Sequence, residues 1–187
     1  MTRWGVTANS KDGLARVTLP FSNDGDYDCM VDWGDGSRSR IPDPSGATSG
    51  AASWSHAYGL GLEEYTIRIH GKVVDFAFRG NADANKLLDV MRWGGVRLGR
   101  HGGQFKGCTR LKGFSAPDVP DLSGVTSMDH MFCGASAFAG DLSGWNTAAV
   151  TSMDSMFEGA SAFSSAAALW FTGGWSDEQL RYSCLIC

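Results

Sequence analysis

The side chains able to do chemistry are few and scattered. The chain has 187 residues, with four histidines (His56, His70, His101, His130) and five cysteines (Cys29, Cys108, Cys133, Cys184, Cys187). Nucleophilic catalysis needs a hydroxyl or thiol beside a base that a third group orients. No Ser/His/Asp or Cys/His set is suggested by spacing, and neither G-x-S-x-G nor a metalloprotease motif occurs. Asp32 and Asp35 flank a Trp-Gly pair. Two carboxylates so placed suit calcium, but a turn aspartate that accepts from its own backbone is the simpler reading and the one expected. Arg100-His101-Gly102-Gly103 is Gly-rich but lacks the Lys-Ser/Thr of a phosphate loop. Cys184-Leu-Ile-Cys187 has C-x-x-C form without a second pair. It also has the shape of a C-terminal prenylation signal, which makes Cys184 a lipidation candidate; the competing reading is an apolar end packed as a cap. No catalytic residue, cofactor or metal site is expected, and the chain reads as a non-enzyme.

Bulk properties set the expectation of no nucleic-acid partner and no membrane span. A net charge of −4 offers no basic face to nucleic acid. No apolar run approaches the roughly 18–20 residues of a membrane span, and MTRWGVTANSKDG lacks the apolar stretch of a secretory signal.

What must position any binding group is a repeat. Residues 121–138 return at 146–163, so that Val125, Met128, Met131, Phe132, Gly134, Ala135 and Phe138 map onto Val150, Met153, Met156, Phe157, Gly159, Ala160 and Phe163, each 25 positions on. Phe105-Lys-Gly107-Cys108 opens an earlier unit 27 residues before Phe132, and Leu87-Leu88 to Trp93 reads as a degenerate opening unit. Fixed-period similarity is the mark of stacked repeats, whose extended surfaces usually bind other macromolecules. Val150, Met153, Met156 and Phe157 share one face of a short helical turn and are expected in the core, as are Val125, Met128, Met131, Phe132, Phe105, Trp93 and Trp145. Cys108 stands where later units carry alanine, so it is expected buried. Cys133 aligns with Lys106 and Glu158 and is expected exposed. Thr126-Ser-Met-Asp129 and Thr151-Ser-Met-Asp154 have the form of an N-terminal helix cap. The competing reading makes Asp129 and Asp154 a ligand-binding row, with His130, which the repeat does not require, beside them.

Residues 14–21, 27–33, 64–70 and 73–78 read as strands separated by turn signals, with a polar loop over 38–53. They suggest a small β-sandwich over residues 1–79. Val31-Asp-Trp-Gly-Asp-Gly-Ser37, then His56-Ala-Tyr58, then Tyr65-Thr-Ile-Arg-Ile69 resembles the PKD-type (polycystic-kidney-disease-type) immunoglobulin-like domain. The Ser/Gly-rich insertion at 43–53 and Glu63-Glu64 depart from that family's pattern. The second half resembles the BspA-type leucine-rich repeats of bacterial surface lipoproteins through its V-T-S-M-x-x-M-F-x-G-A units.

The expected architecture is therefore mostly β with short helical turns: a PKD-like sandwich over 1–79, a leucine-rich-repeat-like solenoid of about three units over 80–170, and a cap or tail over 171–187. The expected role is a non-catalytic, adhesin-like interaction or scaffolding protein whose partner is another protein or a large assembly. The resemblance implies display at a cell or particle surface. Alternatives are a structural or decoration subunit of a large complex or virion, and a carbohydrate-binding module using Trp54.

Overall fold

The computed structural model describes residues 1–5, 15–22, 24–41, 54–59 and 64–163. The expected cap over 171–187, Cys184, Trp170, Phe171, Trp175 and most of the polar loop lie outside the described residues. The fold is mostly β with open sheets. Its strands are β1 (Thr2–Gly5), β2 (Ala15–Thr18), β3 (Asp26–Asp32), β4 (Arg38–Ile41), β5 (Ser55–Tyr58), β6 (Glu64–Phe76), β7 (Leu87–Val90) and β8 (Val96–Leu98). A six-stranded sheet has the order β4-β3-β6-β1-β7 with β8 also on β6, and β2 pairs with β5 in a second, two-stranded sheet.

Alternation builds β3: Tyr27, Cys29 and Val31 are buried while Asp28 and Met30 face out. The two strands expected at 64–70 and 73–78 are one strand of 13 residues. Gly71 lets it pass unbroken. Its φ is 120°, and a Cβ there would lie 2.3 Å from the Asp28 carbonyl oxygen, so only glycine admits the β3–β6 contact. The strand ends in a register shift between Val74 and Phe76, where Asp75 takes φ 76°. A bulge of this kind re-aims a side chain. Here it turns the Asp75 carboxylate inward, where it accepts from both Ser22 Oγ and the Arg79 guanidinium.

Beyond β6 the chain repeats itself in parallel. β8 pairs in parallel with β6, and isolated parallel bridges join Val90 to Phe114, Arg97 to Asp121, His101 to Ser127 and Ser127 to Ser152. Amides of each unit donate to carbonyls of the next. Phe78 N–H donates to Gln104, Phe105 N–H to Met131 and Phe132 N–H to Met156, at 2.8–2.9 Å. Phe105 and Phe132 stack at 5.5 Å, and Phe132 and Phe157 at 5.4 Å with planes 2° apart. Each row of equivalent residues is thus a physical column. Val125, Met128, Met131, Phe132, Met153, Met156 and Phe157 are at most 2% exposed, and Trp93, Val150 and Trp145 at most 8%. Cys108 is buried and Cys133 half-buried.

The opening unit, which the sequence reading places at Leu87-Leu88 to Trp93, begins at Phe78. Phe78, Gly80 and Ala84 precede Phe105, Gly107 and Leu111 by 27 residues. Phe78 and Phe105 have ring centroids 6.4 Å apart, and Gly80, Gly107, Gly134 and Gly159 all take positive φ. One continuous buried cluster, from Ala15 to Phe163, runs through both halves of the chain.

Three sequence expectations change in detail. The segments around 128–135 and 153–160 are turns, not helices. The Thr126 and Thr151 caps do not form: Thr151 Oγ1 donates to the Thr126 carbonyl at 3.0 Å, bridging two units. Their backbone is shared between units, so the amides a helix cap would serve are already bonded. Third, Trp54 is 6% exposed, its indole packed against Phe21 and Tyr27 at 6.0 Å, because the chain re-enters the core there after the polar loop. A side chain so placed offers no face to a sugar.

The unequal spacing of 27 and 25 residues is absorbed in one place. Gly113 and Gly140 are equivalent and in direct contact, a Cβ on Gly113 lying 3.1 Å from the Gly140 Cα. The residues that follow, 114–119 in one unit and 141–144 in the next, differ in number before Pro120 and Trp145 restore the alignment.

Candidate functional site

An open cleft of about 430 Å³ is lined by Arg79, His101, Gly102, Gly103, Lys106, Asp129, His130 and Asp154. The repeat explains its shape. Residues 102, 129 and 154 form one column, residues 103, 130 and 155 the next, and residues 79, 106, 133 and 158 a third. The first two columns carry Asp129-His130 and Asp154-Ser155 in the later units but Gly102-Gly103 in the earlier one. Two missing side chains leave the hollow. Gly102 is also required sterically: at φ 80° its Cβ would sit 2.4 Å from the Asp129 carbonyl oxygen. His130 and Ser155 take φ of 55° and 52°, the left-handed conformation that Gly103 takes at 64°.

Charge is divided across the cleft. Arg79 and Lys106 belong to one column of its lining, Asp129 and Asp154 to another. Arg79 is held by Asp75, its Nη2 lying 2.8 Å from each carboxylate oxygen. Burial alone would raise the Asp75 pKa, but the Ser22 hydroxyl and Arg79 outweigh it and hold the group below the ordinary carboxylate range. Asp129 behaves likewise. Burial pushes it up, and hydrogen bonds from Ser152, Ser127 and the Asp154 amide bring it down further than burial raised it. Its Oδ1 accepts from the Asp154 N–H at 2.7 Å and from Ser152 Oγ, so the carboxylate pins one unit to the next. The next unit's equivalent, Asp154, is exposed. Asp129→Ala should therefore cost about 1–3 kcal/mol, and Asp154→Ala should stay within about 0.5 kcal/mol. Urea titration of the two variants checks this; equal losses would show that the inter-unit hydrogen bonds contribute nothing.

Of the sequence candidates, the structure brings Asp129, Asp154 and His130 together in this cleft and places Trp54 away from it. One grouping around His130 goes beyond the sequence candidates. His130, Cys133 and Glu158 place an imidazole nitrogen, a sulfur and a carboxylate oxygen within 4.8 Å of one another. The signal was available: Cys133 and Glu158 are equivalent positions, so the repeat makes them neighbours. Partial burial and then the Glu158 carboxylate push the Cys133 thiol upward.

A second cluster joins Ser37, His56 and Asp35. His56 Nε2 lies 2.7 Å from Asp35 Oδ2 and 3.2 Å from Ser37 Oγ, while Ser37 Oγ donates to Asp35 Oδ1 at 2.5 Å. A catalytic triad uses opposite ring nitrogens for acid and nucleophile. Here both groups meet the same nitrogen, and the hydroxyl is already committed to the acid. The cluster is a turn lock. Asp32 Oδ1 accepts from Gly34 N–H, Asp35 Oδ1 accepts from Ser37 N–H, and the His56 ring stacks on Trp33 at 4.8 Å. Asp35 is held down at about 2, the hydrogen bonds from Ser37 and His56 prevailing over the upward push of burial. Both turn carboxylates serve their own backbone, as the simpler sequence reading has it.

Residues 100–179 match a family described as Mycoplasma protein of unknown function, DUF285. The likeness lies in the repeat half and spans Phe105, Phe132 and Phe157. No curated protein and no solved structure matches the chain. Among the described residues no helix is long and apolar enough to cross a membrane.

Proposed function

We propose that this chain is a non-catalytic interaction module, a PKD-like sandwich continued by a short BspA-type leucine-rich-repeat solenoid, and that the cleft receives a segment of a partner protein in an adhesin-like contact. The observation that carries the reading is the composition of the cleft. Its lining comes from consecutive units and combines basic Arg79 and Lys106 with acidic Asp129 and Asp154. Such a surface selects a partner by charge pattern rather than by reacting with it. The titratable groups best held in place, Asp75 and Asp129, are tied to hydrogen bonds that build the fold, and so are not poised for proton transfer. Display at a cell or particle surface follows from the same resemblance.

Selection from a random peptide library tests the proposal. The native chain should enrich charged peptides that bind at a single site. Lys106→Glu and Asp154→Lys, which alter outward cleft groups and leave the inter-unit bonds intact, should each weaken those peptides by about tenfold or more and change the enriched charge pattern. No enrichment, or identical peptides from both variants, would overturn the reading. Binding confined to glycans on a parallel array would favour carbohydrate recognition instead.

A further inference from the structure

His130 and Cys133 stand three residues apart on one turn, whose shape is closed by the Cys133 amide donating to the His130 carbonyl at 3.1 Å. Glu158 arrives from the following unit, in the place that Cys133 holds in its own. The two units are clamped there, because the amide next to Cys133, on Gly134, donates to the Glu158 carbonyl at 2.7 Å. Glu158 Oε2 lies 3.8 Å from His130 Nδ1 and 3.9 Å from Cys133 Sγ. At 3.8 Å the first contact is no hydrogen bond. His130 Nδ1 is sealed from solvent and has no hydrogen-bond partner among the described residues. A buried ring nitrogen left without a partner is destabilising, and such an atom in a native fold calls for an occupant.

We infer that His130, Cys133 and Glu158 form a binding site for one zinc-class divalent transition-metal ion, which ties two successive repeat units together. The donor set decides the class. Thiolate sulfur and imidazole nitrogen suit zinc and its neighbours, whereas calcium and magnesium demand oxygen ligands. Bonds of about 2.0–2.3 Å in a tetrahedral site set neighbouring donor atoms roughly 3.3–3.8 Å apart. The separations of 3.8 and 3.9 Å nearly meet that, and the widest, up to 4.8 Å, closes by about 1 Å through side-chain rotation. The His130 and Glu158 side chains are 46% and 53% exposed, which gives an ion a way in and the side chains freedom to turn. On binding, the Cys133 S–H bond breaks, its proton leaves to water, and the sulfur electron pair goes to the metal. Three protein ligands leave a fourth position for water. The site is independent of the interaction proposal: it shares only His130 with the cleft walls and needs no partner protein.

The test uses the full chain with Cys184→Ser and Cys187→Ser, so that the C-terminal pair cannot bind metal. Cobalt(II) is titrated as the spectroscopic probe, and zinc then displaces it. One equivalent should bind and give a thiolate-to-cobalt charge-transfer band. Cys133→Ser should abolish the band. His130→Ser keeps a residue that the left-handed backbone of Ser155 already accommodates, and Glu158→Gln keeps the side-chain shape; each should weaken binding at least tenfold, the scale on which even outer ligand-supporting groups act. Zinc should raise the melting temperature of the parent and not of these variants. Absence of stoichiometric cobalt binding, or a band that survives Cys133→Ser, would overturn the inference.

Discussion

Met153→Asp is expected to abolish cooperative folding of the repeat half. Met153 is 2% exposed and belongs to the column shared with Met128. Losing the methionine packing costs about 2–5 kcal/mol, and the carboxylate adds the cost of a buried charge with no partner. Together these approach the whole stability of an ordinary domain, about 5–15 kcal/mol. The control is Met153→Leu, which conserves volume and should cost less than about 1.5 kcal/mol. Urea unfolding followed by tryptophan fluorescence, with Trp93 and Trp145 both buried in the repeats, reads the difference. A native-like transition in the aspartate variant would show that this column is not packed as described.

Phe132→Ala is the second large effect. Its ring is fully buried and lies between Phe105 at 5.5 Å and Phe157 at 5.4 Å, with Phe138 stacked on it at 4.1 Å. Removing it opens a cavity between units whose positions are fixed by backbone hydrogen bonds on both sides, so collapse is limited. The expected loss is about 3–5 kcal/mol. Phe132→Leu should recover much of it, because area burial is largely retained while the ring stacking is lost. A loss below about 1 kcal/mol for the alanine variant would mean that the aromatic column does not hold the units together.

The repeat core was legible because each core position is written at least twice. Val125 with Val150 and Met131 with Met156 identify one another without any alignment to other proteins. The opening unit at Phe78 was harder to see. Only Phe78, Gly80 and the small Ala84 keep the pattern, and Asn81 stands where later units have Cys108 or alanine. Gln104 hides the following unit in the same way. It occupies a methionine position and holds the Gly99 and Ser127 carbonyls at 2.7 and 3.1 Å. The continuous strand β6 was missed because glycine normally reads as a break, whereas Gly71 is there for the close approach of β3. Trp54 was misjudged because it follows a polar loop, and sequence alone does not show where a loop returns to the core. In the cleft, the acids and His130 were legible as a row because the repeat aligns them, whereas Arg79 and Lys106 carry no such mark in the sequence. The glycine pair, which lacks the Lys-Ser/Thr of a phosphate loop, proved to be the hollow itself.

The surplus residues at 114–119 have a consequence for how such a chain can change. Because unit length varies there and not along the cleft columns, a duplication or deletion of one unit can occur without disturbing the walls. Each additional unit would lengthen them by one inter-strand step, about 4.7–4.9 Å. The molecule is in effect a ruler whose graduations are added whole, and the choice of two small residues or two polar ones in each graduation sets where along its length the surface is hollow.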